Sequence, residues 1–347
     1  MSVKPKKLSK LGRVIITTIC VFVIGIGLGA AYLWNQYSKL LQTPLEPETI
    51  HSNELEQGLL SLMGKSTQLA IFGIDNRENG HYGNGNSDTI MIVHMDHERK
   101  EVKIVSVYRD TYLKIDEGYY GKANAAYAHN GAAGGISMLN TNLDLQMNRY
   151  VTVDWYAVAK AINLLGGVEI EISEAEKEKI NEYIPEVEKV TGIQTHSVEQ
   201  SGKIHLDGVQ VMAYMRIRKL AGDDYKRTER QRYVIQTVFN EVKQSDWRTL
   251  NQVLDQVLPT IETNLTLSEI VELGMNMGQY QIVGTVGFPF TRTTKVVSGK
   301  GDCVIPVTLE KNVEALQEYL FSTADSVLSE EVMTISTQIV KQTGVDT

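Results

Sequence analysis

Apolar and polar positions divide the chain into three stretches of different character. No charged side chain occurs from Val14 to Trp34. As a helix, those residues would extend about 32 Å, enough to cross a hydrocarbon core of about 30 Å. Ahead of them, Lys4, Lys6, Lys7, Lys10 and Arg13 form a basic lead without an acidic residue. This pattern predicts a cytoplasmic tail over 1–13 and a transmembrane helix over 14–34, with everything after it exported. Two other readings of the run are a cleaved signal peptide and a buried core helix. A signal core runs only about 7–15 apolar residues, and helices without a polar face are uncommon in domain cores. Residues 35–66 are polar, carry Pro44 and Pro47, and read as a linker with a short helix near Glu54–Leu62.

Strand-length apolar runs begin at Leu69-Ala70-Ile71-Phe72-Gly73-Ile74. A Gly/Asn-rich loop follows, then a second strand over Thr89–Met95, a turn at His97-Glu98-Arg99-Lys100, and a third strand over Val102–Val107. Tyr150–Val153 is a short strand, and Asp154 is a suitable N-cap for a helix with apolar residues at Trp155, Val158, Ala159, Ile162 and Leu165. Gly166-Gly167 ends that helix and Val168–Ile172 returns as a strand. A strand–helix–strand unit implies an α/β sheet domain. Further helices are expected over 174–190, 228–242, Leu267–Met277 and Leu309–Phe321, with a strand near Ile282–Val286. The catalytic domain is thus expected over 67–322, and the Ser/Thr-rich stretch 323–347 as a flexible tail.

The formal charge is −8, and the five leading cations contribute +5, so everything after Arg13 carries −13. A domain of that sign lacks the electropositive footprint of a nucleic-acid binder. Cys20 lies within the apolar run and Cys303 stands alone beyond it, so no disulfide forms within the exported part.

The chemistry is concentrated at strand ends. Asp75 follows the first strand, Asp88 precedes the second, and Arg109-Asp110 lie just past the third. In an antiparallel meander those three positions share one edge, although aspartates beside Asn and Gly also suit plain turns. A second cluster lies at Arg216–Arg232, with seven basic and three acidic residues, five of the basic ones arginine. Arg216 and Arg218 would share a face in extended backbone. Asp224 is placed to cap the next helix, with Arg227 in its first turn and Gln231 one turn on. A solvated helix face is the bland alternative. Arginine, however, presents a planar fork that matches phosphate oxygens, and a helix N-terminus adds backbone donors. Arginines neutralise a polyanion directly, and carboxylates can act on one only through a divalent cation such as Mg²⁺. The pairing points to phosphoryl transfer.

At these residues the chain resembles the LytR-CpsA-Psr family of bacterial cell-envelope proteins. The matching blocks run in family order from Phe72-Gly73-Ile74-Asp75-Asn76-Arg77 and Ser87-Asp88-Thr89 to Asp224-Tyr225-Lys226-Arg227-Thr228-Glu229-Arg230-Gln231. Between them lie Tyr108-Arg109-Asp110-Thr111, Lys122-Ala123-Asn124, Leu165-Gly166-Gly167-Val168, His205-Leu206-Asp207-Gly208 and Tyr214-Met215-Arg216-Ile217-Arg218. The resemblance implies a single α/β/α domain with a central mixed sheet, outside a Gram-positive cell membrane. It also implies transfer of an anionic glycopolymer, of teichoic acid or capsule type, from polyprenyl pyrophosphate to peptidoglycan through a phosphodiester. By the same resemblance Asp75 and Asp88 would hold Mg²⁺, and Arg109, Arg216, Arg218, Arg227 and Gln231 would hold the pyrophosphate. Arg77, Asp110 and Lys122 would support the site, with the catalytic base open between Asp75 and Asp110. The prenyl chain is expected in an apolar tunnel beneath the sheet. Three positions depart from the family pattern: Asn86 and Tyr108 stand where it has Arg and Pro, and Asn163 lies near where it has Asp. Rival functions are polyprenyl pyrophosphate hydrolysis and regulation of transcription or autolysis. A basic tail of about 13 residues is too short for a DNA-binding domain.

Overall fold

The computed structural model describes residues 28–74, 85–218, 223–323 and 327–346. Most of the predicted span 14–34, and both Asp75 and Arg77, lie outside them. Among the described residues no helix is long and apolar enough to cross a membrane. Residues 28–37 are helical and lead into strand β1 (Leu41–Gln42).

The centre is a seven-stranded mixed sheet in the order β1-β10-β7-β2-β3-β4-β11. Its middle is the expected antiparallel meander: β2 (Ser66–Ile74), β3 (Ser87–Asp96) and β4 (Glu101–Val107). Strand β7 (Tyr150–Val153) adds parallel to β2, and β11 (Gln281–Phe288) parallel to β4. Strand β10 (Glu262–Thr263) then runs antiparallel to β7 and carries β1 at the edge. Three two-stranded antiparallel pairs lie outside the sheet: β5 (Tyr112–Asp116) with β6 (Tyr119–Lys122), β8 (Val168–Ile172) with β9 (Gly202–Leu206), and β12 (Arg292–Val297) with β13 (Gly301–Pro306).

Alternation along β2 explains the layering. Ala70, Phe72 and Ile74 point into the larger core, and Leu69 and Ile71 into the other face. Of the helices, α1 (Gln57–Met63), α2 (Ala125–Leu143), α9 (Leu309–Phe321) and α10 (Glu330–Thr343) cover the first face. The second face is covered by α3 (Trp155–Leu164), α6 (Asp223–Gln244), α7 (Trp247–Val257) and α8 (Leu267–Asn276). A satellite core forms where α3, α4 (Glu174–Thr191), α5 (Gly208–Met215) and the β8–β9 pair meet.

Local chemistry accounts for the joints. Asp154 caps α3 as predicted, its side chain accepting from Ala157 N at 2.8 Å. Gly166 and Gly167 end the helix with φ of +92° each, where a side chain would be strained. Asp207 caps α5 by accepting from the amides of Val209 and Gln210. At Gly208 a Cβ would lie 1.9 Å from the Ala159 carbonyl oxygen, so α5 packs on α3 only with glycine there.

The structure corrects three expectations. Tyr214 and Met215 are the last turn of α5 and Arg216 its helical C-cap, so Arg216 is not in extended backbone. The linker is partly built into the domain, since Leu40 is buried and β1 joins the sheet. The tail 323–347 is not frayed, because α10 places Val332, Ile335 and Ile339 in the main core. That i, i+3, i+7 stripe was masked by the surrounding Ser, Thr and Gln. Replacing Ile335, which is fully buried, with Ala should therefore cost about 2–5 kcal/mol in urea unfolding. An unchanged midpoint would mean that α10 contributes nothing to the fold.

Candidate active site

The meander register brings the strand ends together. Ile74 pairs with Ser87 and Ile90 with Val107, so the end of β2, the start of β3 and the exit of β4 share one edge. Asp88 is the second residue of β3, one position inside the strand rather than before it. The Arg109 Nη1 donates to Asp88 Oδ1 at 2.5 Å, and Arg109 Nε lies 3.4 Å from Asp110 Oδ2. Lys122, at the end of β6, reaches the other Asp110 oxygen at 3.0 Å. From the far cluster, Arg218 Nη2 donates to Asp88 Oδ2 at 3.4 Å, and Arg227 Nη2 to the Asp88 carbonyl at 3.4 Å. Positions more than a hundred residues apart thus converge on one aspartate.

Arg216 is held differently. Its guanidinium lies 3.7 Å from the centre of the Trp155 ring and pairs with Glu186 at 3.0 Å. Cation–π stacking fixes the plane of the fork and leaves its edge for hydrogen bonding. Arg227 is only 2% exposed, a buried cation on the first turns of α6. Gln231 follows it one turn later on the same face. The remaining two arginines of the cluster serve other contacts. Arg230 pairs with Glu176 at 2.9 Å and donates to the Ile217 carbonyl, bracing the loop that carries Arg218. Arg232 is buried near Tyr319 and Arg292, and desolvation pushes its pKa down.

These groups line one end of a cavity of about 830 Å³ between the sheet and helices α3 and α6. Asp88, Arg216, Arg218, Arg227 and Gln231 form the polar end. Thr89, Asp154 and Tyr183 also line the cavity, and the rest of the wall is apolar, with Ile71, Val151 and Val158 on one side and Val234, Val238 and Val242 on the other. The predicted stripe Val234-Val238-Val242 of α6 is therefore a cavity wall. Along α6, Arg227 and Val242 are about 22 Å apart, so the cavity is long as well as apolar.

Trp155 and Glu186 were not anticipated as site residues. Trp155 reads from spacing as core, and its role as a platform for Arg216 arises from the docking of α5 onto α3. The departures from the family pattern are placed as well. Asn86 is exposed. Tyr108 packs edge-on to Tyr225 at 4.7 Å, and Arg292 sits over both rings at 4.7 and 4.3 Å. That stack ties the exit of β4 to the first turn of α6, and so links the segments bearing Arg109 and Arg227.

For a divalent cation, the described residues offer the carboxylate of Asp88, and among them no group of three or more acidic, His or Cys side chains could hold a metal. A donor set this sparse suits Mg²⁺, which takes one or two carboxylates and completes its shell with phosphate oxygens and water.

Comparison with known proteins places this chain in a family. A polyisoprenyl-teichoic acid–peptidoglycan teichoic acid transferase TagU of Enterococcus faecalis is 27% identical over 262 residues, covering 74% of this chain and 80% of its own. TagV of Bacillus subtilis is 23% identical over 264 residues, covering 75% of this chain and 65% of its own. The solved structure of a LytR-CPS2A-psr family protein, YwtF (TagT), with bound octaprenyl pyrophosphate lipid superimposes with a TM-score of 0.56 at 20% identity, covering 76% of this chain and 92% of that one. The family model itself matches residues 41–317, from the first strand of the sheet into the helix that closes its core, and the chain belongs to the LytR_cpsA_psr family.

Proposed function

We propose that this protein transfers an anionic glycopolymer from a polyprenyl pyrophosphate carrier to peptidoglycan. The observation that carries the reading is the two-character cavity: one arginine-rich end joined to a long apolar wall. Such a cavity matches a ligand with a pyrophosphate head and a hydrocarbon tail. The names of the relatives and the lipid bound in the neighbouring structure support the same assignment.

In the reaction so proposed, an acceptor hydroxyl on peptidoglycan attacks the phosphorus that bears the glycopolymer. The new P–O bond makes the phosphodiester, the P–O–P bridge breaks, and polyprenyl phosphate leaves. The acceptor proton passes to a base, for which Asp75 and Asp110 are the candidates. Arg216, Arg218 and Arg227 act on charge: fixed donors around a bridging oxygen stabilise the negative charge that builds on it. Burial of Arg227 strengthens this, because a desolvated guanidinium is weakly screened. Arg109 and Lys122 hold Asp88 and Asp110 in place, and Gln231 adds a neutral donor. Arg77 is assigned a supporting role on the resemblance alone. Asp75 and Asp88 would hold Mg²⁺, which when bound neutralises phosphate oxygens. The uncharged run 14–34 is read as a signal anchor that keeps the N-terminus inside and the catalytic domain outside the cell membrane.

Replacing Arg218 or Arg227 with Lys keeps the charge and removes the fork. Transfer should fall by roughly ten-fold or more with the thermal midpoint preserved, as expected for loss of a bidentate phosphate contact. Near-normal formation of the polymer–peptidoglycan phosphodiester by both variants would show that neither arginine's fork takes part in the transfer. Release of free polymer without that product would instead favour hydrolysis.

The metal assignment is tested by Asp75→Asn and Asp88→Asn. Both should weaken transfer and blunt its dependence on Mg²⁺, because bare carboxylates beside a pyrophosphate would repel it. Titration of the donor with and without Mg²⁺ should show metal-enhanced binding in the wild type alone. Tighter metal-independent binding by the variants would identify the carboxylates as repulsive or basic groups. Topology is tested by a reporter active only outside the membrane, fused after residue 66. Activity is expected, and activity of a cytoplasmic reporter alone at that point would remove the basis for an extracellular transferase.

A further inference from the structure

The helix over residues 28–37 is fastened to the domain. Tyr32 donates to Asn251, and Gln36, one turn on, donates to Asp255 at 2.7 Å. Lys39 closes the seam on Asp255 at 2.5 Å, and Gln36 and Leu40 are buried. Contacts that advance together in both sequences mean that this helix and α7 run side by side in the same direction. The Tyr32 and Trp247 rings meet at 5.8 Å, which puts the start of α7 at the level where the chain arrives from the uncharged run Val14–Trp34.

That level is also the far end of the cavity. Val242, the wall residue most distant from Arg227 along α6, precedes Trp247 by five positions, and Met277 lines the same cavity. The segments that meet there carry exposed apolar side chains: Leu28 and Trp34 on the arriving helix, Trp247 at the start of α7 and Met275 near the end of α8 are 68%, 62%, 62% and 73% exposed. Clustered exposed apolar side chains mark an interaction surface, and tryptophan in particular settles at the headgroup level of a bilayer. The chain leading into this surface supplies the reason to choose a membrane over a protein partner, since it brings an uncharged span of bilayer length to the same place.

We propose that Trp34, Trp247 and Met275 form a membrane-apposed face that seats the domain on the lipid bilayer, with the apolar end of the cavity toward the lipid and the arginine end away from it. The inference rests on the anchor and prenyl-donor reading above, and adds a fixed orientation to it. A prenyl tail then passes from the bilayer into the cavity without crossing water, and the anchor helix sets the height at which the pyrophosphate is presented.

The test uses the full chain in phospholipid vesicles whose acyl chains are brominated near the headgroup, a short-range quencher of tryptophan. Trp155 is buried under Arg216 and supplies an unquenched background. Trp34→Phe and Trp247→Phe should each remove part of the quenchable fluorescence. Quenching lost in Trp34→Phe and unchanged in Trp247→Phe would leave the anchor standing and overturn the seating. A protein that does not float with vesicles would overturn the anchor reading itself. A second variant, Asp255→Lys, breaks the seam away from the arginines. It should lower transfer from a bilayer-embedded long-chain donor several-fold and leave transfer from a short-chain donor in detergent unchanged. Equal rates on both donors relative to wild type would show that the seam orients nothing.

Discussion

Asp88 is the point on which the polar end of the cavity turns. Its carboxylate takes Arg109 on one oxygen and Arg218 on the other, and its carbonyl takes Arg227. These three arginines come from the exit of β4, the loop after α5 and the first turns of α6. Crowding cations in one place is costly unless an anion sits among them. Asp88 is one such anion, and Asp110 beside Arg109 is another. The arginines that hold Asp88 are also, in the function proposed above, the groups that would grip a pyrophosphate, which would compete with Asp88 for them.

The second constraint is the packing that lets α6 cross the sheet without filling the space beneath it. Asp207 and Gly208 seat α5 tightly on α3, Arg216 stacks on Trp155, and Arg230 pins the loop between α5 and α6. These contacts fix the start of α6 beside Asp88. The helix then runs on with valines facing across the gap to Ile71 and Val151. A space this apolar gains little from water and much from a hydrocarbon chain. The Tyr108–Arg292–Tyr225 stack joins the same start of α6 to the β12 strand, so the polar end is braced from both flanks.

Much of this was legible along the chain. Strand periodicity predicted the β2–β3–β4 meander, and the meander alone brings the residues around Asp88 and Arg109 to one edge, because adjacent strands leave no freedom in where their ends fall. Capping chemistry at Asp154 and the paired glycines after α3 read correctly for the same local reason. The valine stripe of α6 was visible, but not that it faces a cavity, since a helical stripe looks identical whether a core or a void lies opposite.

What only the tertiary structure decided was the meeting of elements distant in sequence. Arg218 and Arg227 reach Asp88 from more than a hundred residues away, and no periodicity encodes that contact. Trp155 under Arg216, and α10 in the main core, likewise depend on which face each helix presents to a neighbour. That Arg216 ends a helix is likewise not legible locally, because a short run around one arginine carries too few positions to distinguish a helix end from a strand. The sequence by itself determined the kinds of groups available: carboxylates at strand ends, an arginine cluster, and an uncharged span ahead of them. Their distances were set by helix packing, whose energy comes from many weak contacts that no single residue announces.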